Sequence, residues 1–353
     1  MRVAMGRQGA PRTAPADPPR VSVVIPCYNY GRFLPSAVGS ALAQDGVDVD
    51  VLIVDDASRD GSDAIAEQLA AEDDQVRVIR HAHNRGHIAT YNAGLAAVTG
   101  DFTVLLSADD MLTPGALARA TALFALHPEV GLVYGHPRAF EGNAPAPSTR
   151  VRSWSVWSGS DWIRTRCRRG TNSIYSPEVV LRTSLQREIG GYRADLPHSA
   201  DLEMWLRAAA VASIGRVNGP DQALRRIHGA AMSQSLYGSR LADLSGRRDA
   251  FHSFFTGAGR ELRDAASLAA LARRRLAREA LDCAWHEADD GPCREAYAAF
   301  AVDLDPGVRR TRAWHRLNRR PVRRWPGSAL SPHAVACDLS GRWRWRRWRW
   351  SGV

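Results

Sequence analysis

The chain has 353 residues, 45% of them hydrophobic, and a formal net charge of +10. That length suggests roughly two to three domain-sized units with apolar residues enough for a buried core. The five cysteines (Cys27, Cys167, Cys283, Cys293 and Cys337) are odd in number, scattered and without CxxC spacing. This excludes a disulfide framework and a zinc site and fits a reducing cytoplasm.

The charge is local. Pro306 to Val353 holds thirteen arginines against one acid, Asp338, for +12, so the remaining 305 residues carry −2. A body this close to neutral does not bind nucleic acid through overall basicity. No apolar run reaches membrane-span length, and the N-terminus has no apolar signal core. The expected organisation is a disordered lead-in at 1–17, one α/β domain at 18–235, a helical region at 236–305 and a basic tail at 306–353.

In chain order, Val21 to Ile25 reads as a buried strand ending in polar residues, and Gly31 to Gln44 as a helix. Val49 to Val54 is a second strand, closed by Asp55-Asp56-Ala-Ser58. Ser62 to Ala71 is a helix, Val76 to Ile79 a strand, Asn84-Arg-Gly86 a turn, and Ile88 to Val98 a helix. Phe102 to Leu106 is a strand that runs into Asp109 and Asp110, before a helix start at Thr113-Pro114. Leu117 to Leu126 (helix) and Val130 to Tyr134 (strand) complete the alternation. Strands alternating with helices predict βαβ units and a mostly parallel sheet. Right-handed crossovers bring the carboxyl ends of the strands at 21–25, 49–54 and 102–106 to one edge, where ligands bind in such sheets.

Gly142 to Ser160 is rich in Pro, Ser and Gly and reads as a loop or excursion. The paired glycines of Ile189-Gly-Gly-Tyr-Arg193 suit a tight turn or a close backbone approach. Asp201 to Val211 reads as a helix, and Leu236 to Ala301 as further helices.

Two adjacent carboxylates such as Asp109 and Asp110 repel each other unless a cation lies between them. A hard divalent ion that also meets phosphate oxygens would suit that place. A solvated, helix-capping Asp pair is the local alternative. Asp55 at the end of the second strand can accept hydrogen bonds from a nucleobase or ribose, or simply form an Asx-turn. No Gly-x-Gly-x-x-Gly follows the first strand and no Walker motif is present, which argues against a dinucleotide dehydrogenase or a P-loop enzyme.

Taken together, Val23-Val-Ile-Pro-Cys-Tyr-Asn29, Val54-Asp-Asp-Ala-Ser-Arg-Asp60, Asn84-Arg-Gly86 with Asn92, and Leu106-Ser-Ala-Asp-Asp110 resemble the family 2 glycosyltransferases of GT-A fold. Gly190-Gly-Tyr-Arg193, Ala200-Asp-Leu-Glu-Met-Trp-Leu-Arg207 and Arg226-Ile-His-Gly229 continue the likeness, which covers about residues 20–235 in the family's order. The resemblance implies a Rossmann-like, mostly parallel central sheet flanked by helices, with a helical C-terminal extension. It also implies a nucleotide-diphosphate-sugar donor, a divalent metal (Mn2+ or Mg2+), a saccharide or lipid-linked hydroxyl acceptor and an inverting transfer, in cell-envelope or exported polysaccharide synthesis.

By position, Pro26, Tyr28 and Asp55 would line the nucleoside pocket with Asp56 beside them, and Asn84, His87 and Asn92 would shape the donor side. Asp109 and Asp110 match the metal and diphosphate acids, with Asp110 and His228 expected at the metal. Arg226 and Arg207 are candidates to offset leaving-group charge, with a salt-bridged helix-face role as the alternative for Arg207. Asp201 matches the catalytic base. At a helix start its carboxyl is expected below the usual range, because the N-terminal dipole favours the charged form. The chain departs from the family pattern at Ser107, where a further Asp is often found, and at Ala200, where Glu is often found.

Arg342-Trp-Arg-Trp-Arg-Arg-Trp-Arg-Trp350 interleaves cations with amphipathic aromatics. Such a segment suits the surface of an anionic membrane, here the inner leaflet, or stacking on single-stranded nucleic acid. A disordered low-complexity end is the third reading. Two other functions stay open for the whole chain: a nucleotidyltransferase, and a degenerate sugar-nucleotide-binding or scaffold protein tethered by its tail.

Overall fold

The computed structural model describes residues 17–172, 174–229, 239–286 and 291–318. The Arg/Trp segment and nearly all of the expected lead-in lie outside the described residues. The chain forms two compact units. One comprises residues up to Ile163 with Asn172–Leu236, and the other Arg164–Thr171 with the residues from Tyr237 onward.

The first unit is built on an eight-stranded sheet. β1 (Arg20–Cys27), β2 (Asp48–Asp55), β3 (Val76–Arg80) and β4 (Phe102–Leu105) are interleaved with α1 (Leu34–Leu42), α2 (Ser62–Glu72) and α3 (His87–Ala96). β3, β2, β1 and β4 lie side by side, all parallel. Their residues are apolar on both faces, as strands covered by helices on either side must be. Val21, Val23, Val24, Ile25, Val51, Leu52, Ile53 and Val104 are at most 1% exposed.

Beyond β4 the sheet becomes mixed. After the two-residue strand β5 (Met111–Leu112) and α4 (Ala116–Leu126), β6 (Val130–Tyr134) joins the sheet without pairing β4. A much later three-residue strand, β9 (Val180–Arg182), is inserted antiparallel between them, pairing Thr103 and Leu132 through Leu181. β10 (Ser213–Asn218) then runs parallel to β6, and β8 (Ser153–Trp157) closes the edge antiparallel to β10. The stretch expected to be a loop excursion at 142–160 therefore holds an edge strand and the start of α5 (Gly159–Arg169). The alternation in Ser153-Trp-Ser-Val-Trp157 is that of a strand with one buried face. A second sheet sets β5 against β11 (Ala223–Arg226) and β11 against β7 (Pro137–Phe140). Two helices, α6 (Thr183–Ile189) and α7 (Ala200–Val211), complete the unit.

The second unit is helical: α8 (Arg240–Thr256), α9 (Ala265–His286), α10 (Gly291–Leu304) and α11 (Arg312–Asn318). Leu244, Phe251 and Phe254 are buried, as are Ala272, Leu276 and Ala280 of α9. Arg247 is held there by Glu279 at 2.9 Å and Asp243 at 2.7 Å. The basic tail expected from 306 begins later than that. Pro306–Arg310 is a 3-10 turn and Arg312–Asn318 a helix, anchored by buried Val308 and Leu317. No described helix is long and apolar enough to cross a membrane.

Candidate active site

Parallel pairing puts the carboxyl ends of β1, β2 and β4 on one edge. Cys27 lies opposite Asp55, and the Leu106 N–H continues the ladder to the Val24 carbonyl at 2.9 Å. The two loops leaving β1 and β2 are laced together. Asn29 donates its N–H to Ser58 Oγ and accepts the Arg59 N–H on its side chain. Asn29 and Ala57 both adopt the left-handed region, φ 59° and 58°. For Ala this is a costly conformation that only the surrounding bonds sustain.

Asp55 is 1% exposed. Its Oδ2 accepts the Ser58 N–H at 3.1 Å, while Oδ1 has no partner among the described residues. A buried carboxylate oxygen without a donor is costly, and a donor brought by a ligand would settle it. Tyr28, next to this strand end, is 42% exposed, and Pro26 is half-buried in the last turn of β1.

Asp56, expected beside the nucleoside, holds the protein instead. Its Oδ1 meets His81 Nδ1 and the Arg85 N–H, both at 2.8 Å, and its Oδ2 accepts the Gly86 N–H at 2.9 Å. Burial works against its charge, but these bonds outweigh it and hold the carboxyl below its usual range. Asp56 thereby fixes the loop before α3. Asn84 lies in the same loop, its carbonyl oxygen accepting the Gly86 N–H at 3.1 Å.

Asp109 and Asp110 stand between β4 and β5, at the same edge. Asp110 is buried, and its Oδ1 accepts the Arg226 N–H at 2.8 Å, extending the β5–β11 ladder by one rung made from a side chain. Asp109 Oδ2 lies 3.0 Å from His228 Nε2. The imidazole sits against Tyr30 and Phe33 from the β1–α1 connection. Arg226 lies between the rings of Phe33 and Phe140 and donates Nε to the Asp109 carbonyl. Three acids and bases predicted from distant segments, Asp109, Asp110 and His228, thus share one cluster.

Burial, and then the charge of Asp109, push the Asp110 carboxyl up to about 8. A carboxylate pair strained in this way is what a divalent cation stabilises. The donors on offer, two carboxylates and an imidazole whose Nδ1 has no partner, suit Mn2+ or Mg2+. Among the described residues no group of three or more His, Cys, Asp or Glu side chains is placed to hold a metal ion by itself.

Asp201 opens α7. Its Oδ2 accepts Asn172 Nδ2 at 2.6 Å and its Oδ1 the Leu202 N–H at 2.8 Å. The expected depression by the helix dipole is overturned. Desolvation prevails over the Leu202 and Asn172 bonds and raises the carboxyl to about 6. It stays mostly ionised at neutral pH.

Two positioning devices hold the loop before Asp201. Asn92 on α3 bonds both backbone groups of Tyr192, accepting its N–H at 2.7 Å and donating to its carbonyl at 2.8 Å. His87 on α3 bonds the Pro197 carbonyl at 2.9 Å. Only glycine fits at 191, where a Cβ would lie 2.3 Å from Asn92 Oδ1, and Gly190 has φ +78°. Arg207 bonds both Glu203 oxygens and the Ile189 and Gly191 carbonyls. It clamps the same loop and follows its helix-face reading rather than the leaving-group one.

Two contributors went unseen in the sequence. Asn172 is one, with only its place before an apolar run as a signal. The other is Glu178, 2% exposed, in the 3-10 turn Ser176–Glu178 that precedes β9. Because β9 runs antiparallel, the residues leading into it arrive at the carboxyl edge of β4. There Glu178 feels the charges of Arg216, Arg225 and Asp110, and burial raises its carboxyl well above the usual range. Its neighbour Ser176 bonds the Tyr192 hydroxyl, which in turn feels Asp201. This short turn links the Asp109–Asp110 cluster to Asp201.

Residues 22–181 match the family model described as Glycosyl transferase family 2. An uncharacterized glycosyltransferase from Nostoc sp. is 38% identical over 125 residues, covering 35% of this chain and 38% of that protein. The succinoglycan biosynthesis protein ExoO of Rhizobium meliloti is 40% identical over 101 residues, covering 29% of this chain and 28% of its own length. The chain thus spans well under two thirds of both relatives. Among solved structures, Staphylococcus aureus TarS 1–349 in complex with UDP-GlcNAc superposes with a TM-score of 0.56 at 16% identity, covering 82% of this chain and 92% of that one. The mannosyltransferase PcManGT from Pyrobaculum calidifontis, in complex with GDP-Man and Mn2+, gives 0.50 at 19%, covering 85% and 90%. At such identities the likeness is one of fold. Motif order, sheet topology and the matched segment together make residues 22–181 similar to glycosyl transferase family 2, on a sheet of GT-A fold.

Proposed function

We infer that this protein transfers a sugar, with inversion, from a nucleotide-diphosphate donor to a hydroxyl acceptor in polysaccharide synthesis. The observation that supports the reading is that Asp55 and the Asp109–Asp110–His228 cluster follow neighbouring parallel strands, while the Ser176–Glu178 turn reaches from Asp110 toward Tyr192 and Asp201. TarS and PcManGT hold UDP-GlcNAc and GDP-Man on the same fold, which supports a donor of that class here. The nucleoside lies over Tyr28 and Pro26, with Asp55 offering its unpartnered oxygen. Asp109 and Asp110, with His228, would hold the Mn2+ or Mg2+ whose charge offsets that of the leaving diphosphate.

Asp201 takes the acceptor hydroxyl proton as the oxygen attacks the anomeric carbon from the face opposite the diphosphate. General-base help of this kind is typically worth ~10²–10⁴-fold. Asn172 and the Leu202 N–H aim the carboxylate, and Asn92, His87 and Arg207 fix the loop in front of it. The acceptor is a saccharide or a lipid-linked hydroxyl. The arginines of the tail would bring the enzyme to an anionic membrane surface, each basic residue contributing ~1 kcal/mol there.

A panel of nucleotide sugars assayed for nucleoside diphosphate release, with Mn2+ or Mg2+ present, tests the reading. Wild-type protein releases diphosphate with acceptor present, whereas Asp201→Asn binds donor but does not transfer. Normal transfer by Asp201→Asn would remove the base assignment. Release of pyrophosphate from a nucleoside triphosphate would point to a nucleotidyltransferase instead.

A further inference from the structure

Among the described residues, the exposed large apolar or aromatic side chains are Tyr28, Leu126, Val151, Tyr175 and Val211. Tyr28 follows Cys27, which pairs with Asp55, and Tyr175 lies three residues after Asn172, which bonds Asp201. The transfer reading gives Tyr28 the nucleoside and leaves Tyr175 without a task. We propose that the Tyr175 ring is the platform on which a pyranose ring of the acceptor stacks, which makes the acceptor a saccharide; this rests on the transfer reading.

Tyr175 is 45% exposed on a backbone that is pinned on both sides. Ile174 before it is buried, as are Pro177 and Glu178 after it. The Tyr175 N–H donates to Glu178 Oε1 at 3.3 Å, its carbonyl accepts the Glu178 N–H at 3.4 Å, and Ser176 is tied to Tyr192. A turn so held could have turned its aromatic ring inward. Instead the guanidinium of Arg225 lies over the ring, 4.6 Å from its centroid, and sets its orientation from one side. A tyrosine fixed in this way offers contact area at little conformational cost, since only two torsions are involved.

Asn172, which bonds Asp201, is three residues upstream of Tyr175, so the backbones of Asn172 and Tyr175 are at most about 10 Å apart. A sugar stacked by its C–H face against the electron-rich ring face can therefore present a hydroxyl toward Asp201. Phosphate or a flat base would be held by Arg225 directly, but that guanidinium already faces the ring and the charges of Asp110 and Glu178.

The test measures nucleoside diphosphate release by the full chain from a panel of nucleotide sugars. The acceptors are the methyl pyranosides of glucose, galactose, mannose and N-acetylglucosamine, with glycerol 1-phosphate and a serine peptide as non-sugar acceptors. At least one pyranoside stimulates release by wild-type protein. Tyr175→Ala raises the KM for that pyranoside about tenfold and Tyr175→Phe leaves it nearly unchanged. Donor affinity and acceptor-independent release stay the same in both. A pyranoside KM unmoved by Tyr175→Ala overturns the platform while leaving the transfer reading intact, as does stimulation by the non-sugar acceptors alone. Failure of wild-type protein to turn over any donor defeats the transfer reading, and the platform with it.

Discussion

Asn172→Ala isolates the one side chain that tunes the proposed base. Asn172 Nδ2 lies 2.6 Å from Asp201 Oδ2, and that bond favours the charged carboxylate. A hydrogen bond to a charged group contributes about 1.5–3 kcal/mol, and one pKa unit corresponds to about 1.4 kcal/mol. The full loss would raise Asp201 by about one to two units, but the residue is not fully buried and water replaces part of the bond, so about one unit is expected. The base works ionised, so the rate climbs with pH through its pKa, near about 6 in the wild type. In the variant that limb moves up to about 7, giving roughly twofold slower transfer near neutral pH and convergence in alkali. Initial rates of nucleoside diphosphate release, taken from about pH 5 to about pH 9 at saturating donor, read this directly. An unmoved limb, or the same loss at every pH, would refute the tuning role.

Removing Asp56 by Asp56→Ala strips three partners from a carboxylate 2% exposed and should cost about 3 kcal/mol, read from the urea midpoint. Because its folded pKa is depressed, the stability it provides is present above the normal carboxylate range and is lost as pH falls through the lowered value. Arg207→Met leaves Glu203 buried without its cation and should destabilise by about 3–5 kcal/mol, whereas the pair Arg207→Met with Glu203→Leu recovers much of that. Equal midpoints for the single and double variants would remove the clamp from the account. Mn2+ should raise the melting temperature of the wild type but not of Asp110→Asn, and chelation should reverse the gain. A cation shift preserved in Asp110→Asn would move the metal elsewhere.

Much of the fold can be read from β-branched runs and helical spacing, since β1, β2, β4 and β6 each hold an apolar run and are bracketed by turn residues. The hidden parts are those whose pairing is decided at long range. β9 is three residues long, and nothing in Val180-Leu-Arg182 announces that it will enter antiparallel between β4 and β6. β5, β7 and β8 are also short and draw their hydrogen bonds from strands far along the chain. The site divides in the same way. Asp55, Asp109 and Asp110 follow from strand ends, and Asp201 from a helix start. Asp56, Arg207 and Asn172 show their roles only once their partners, up to 30 residues away, are in place. The Asp201 carboxyl shifts up rather than down because the dipole is local and desolvation is a property of the folded surroundings.

The late strand at the centre of the sheet also bears on how the chain is made. Synthesis delivers Phe102–Leu105 and Val130–Tyr134 well before Val180–Arg182, so β4 keeps an open edge and β6 has no partner in the sheet until later segments leave the ribosome. Unpaired edges of this kind invite mispairing with other chains, and joins between distant segments are slow. Three residues thus act as the keystone of assembly, and the interval before their arrival is when a nascent chain most needs a chaperone.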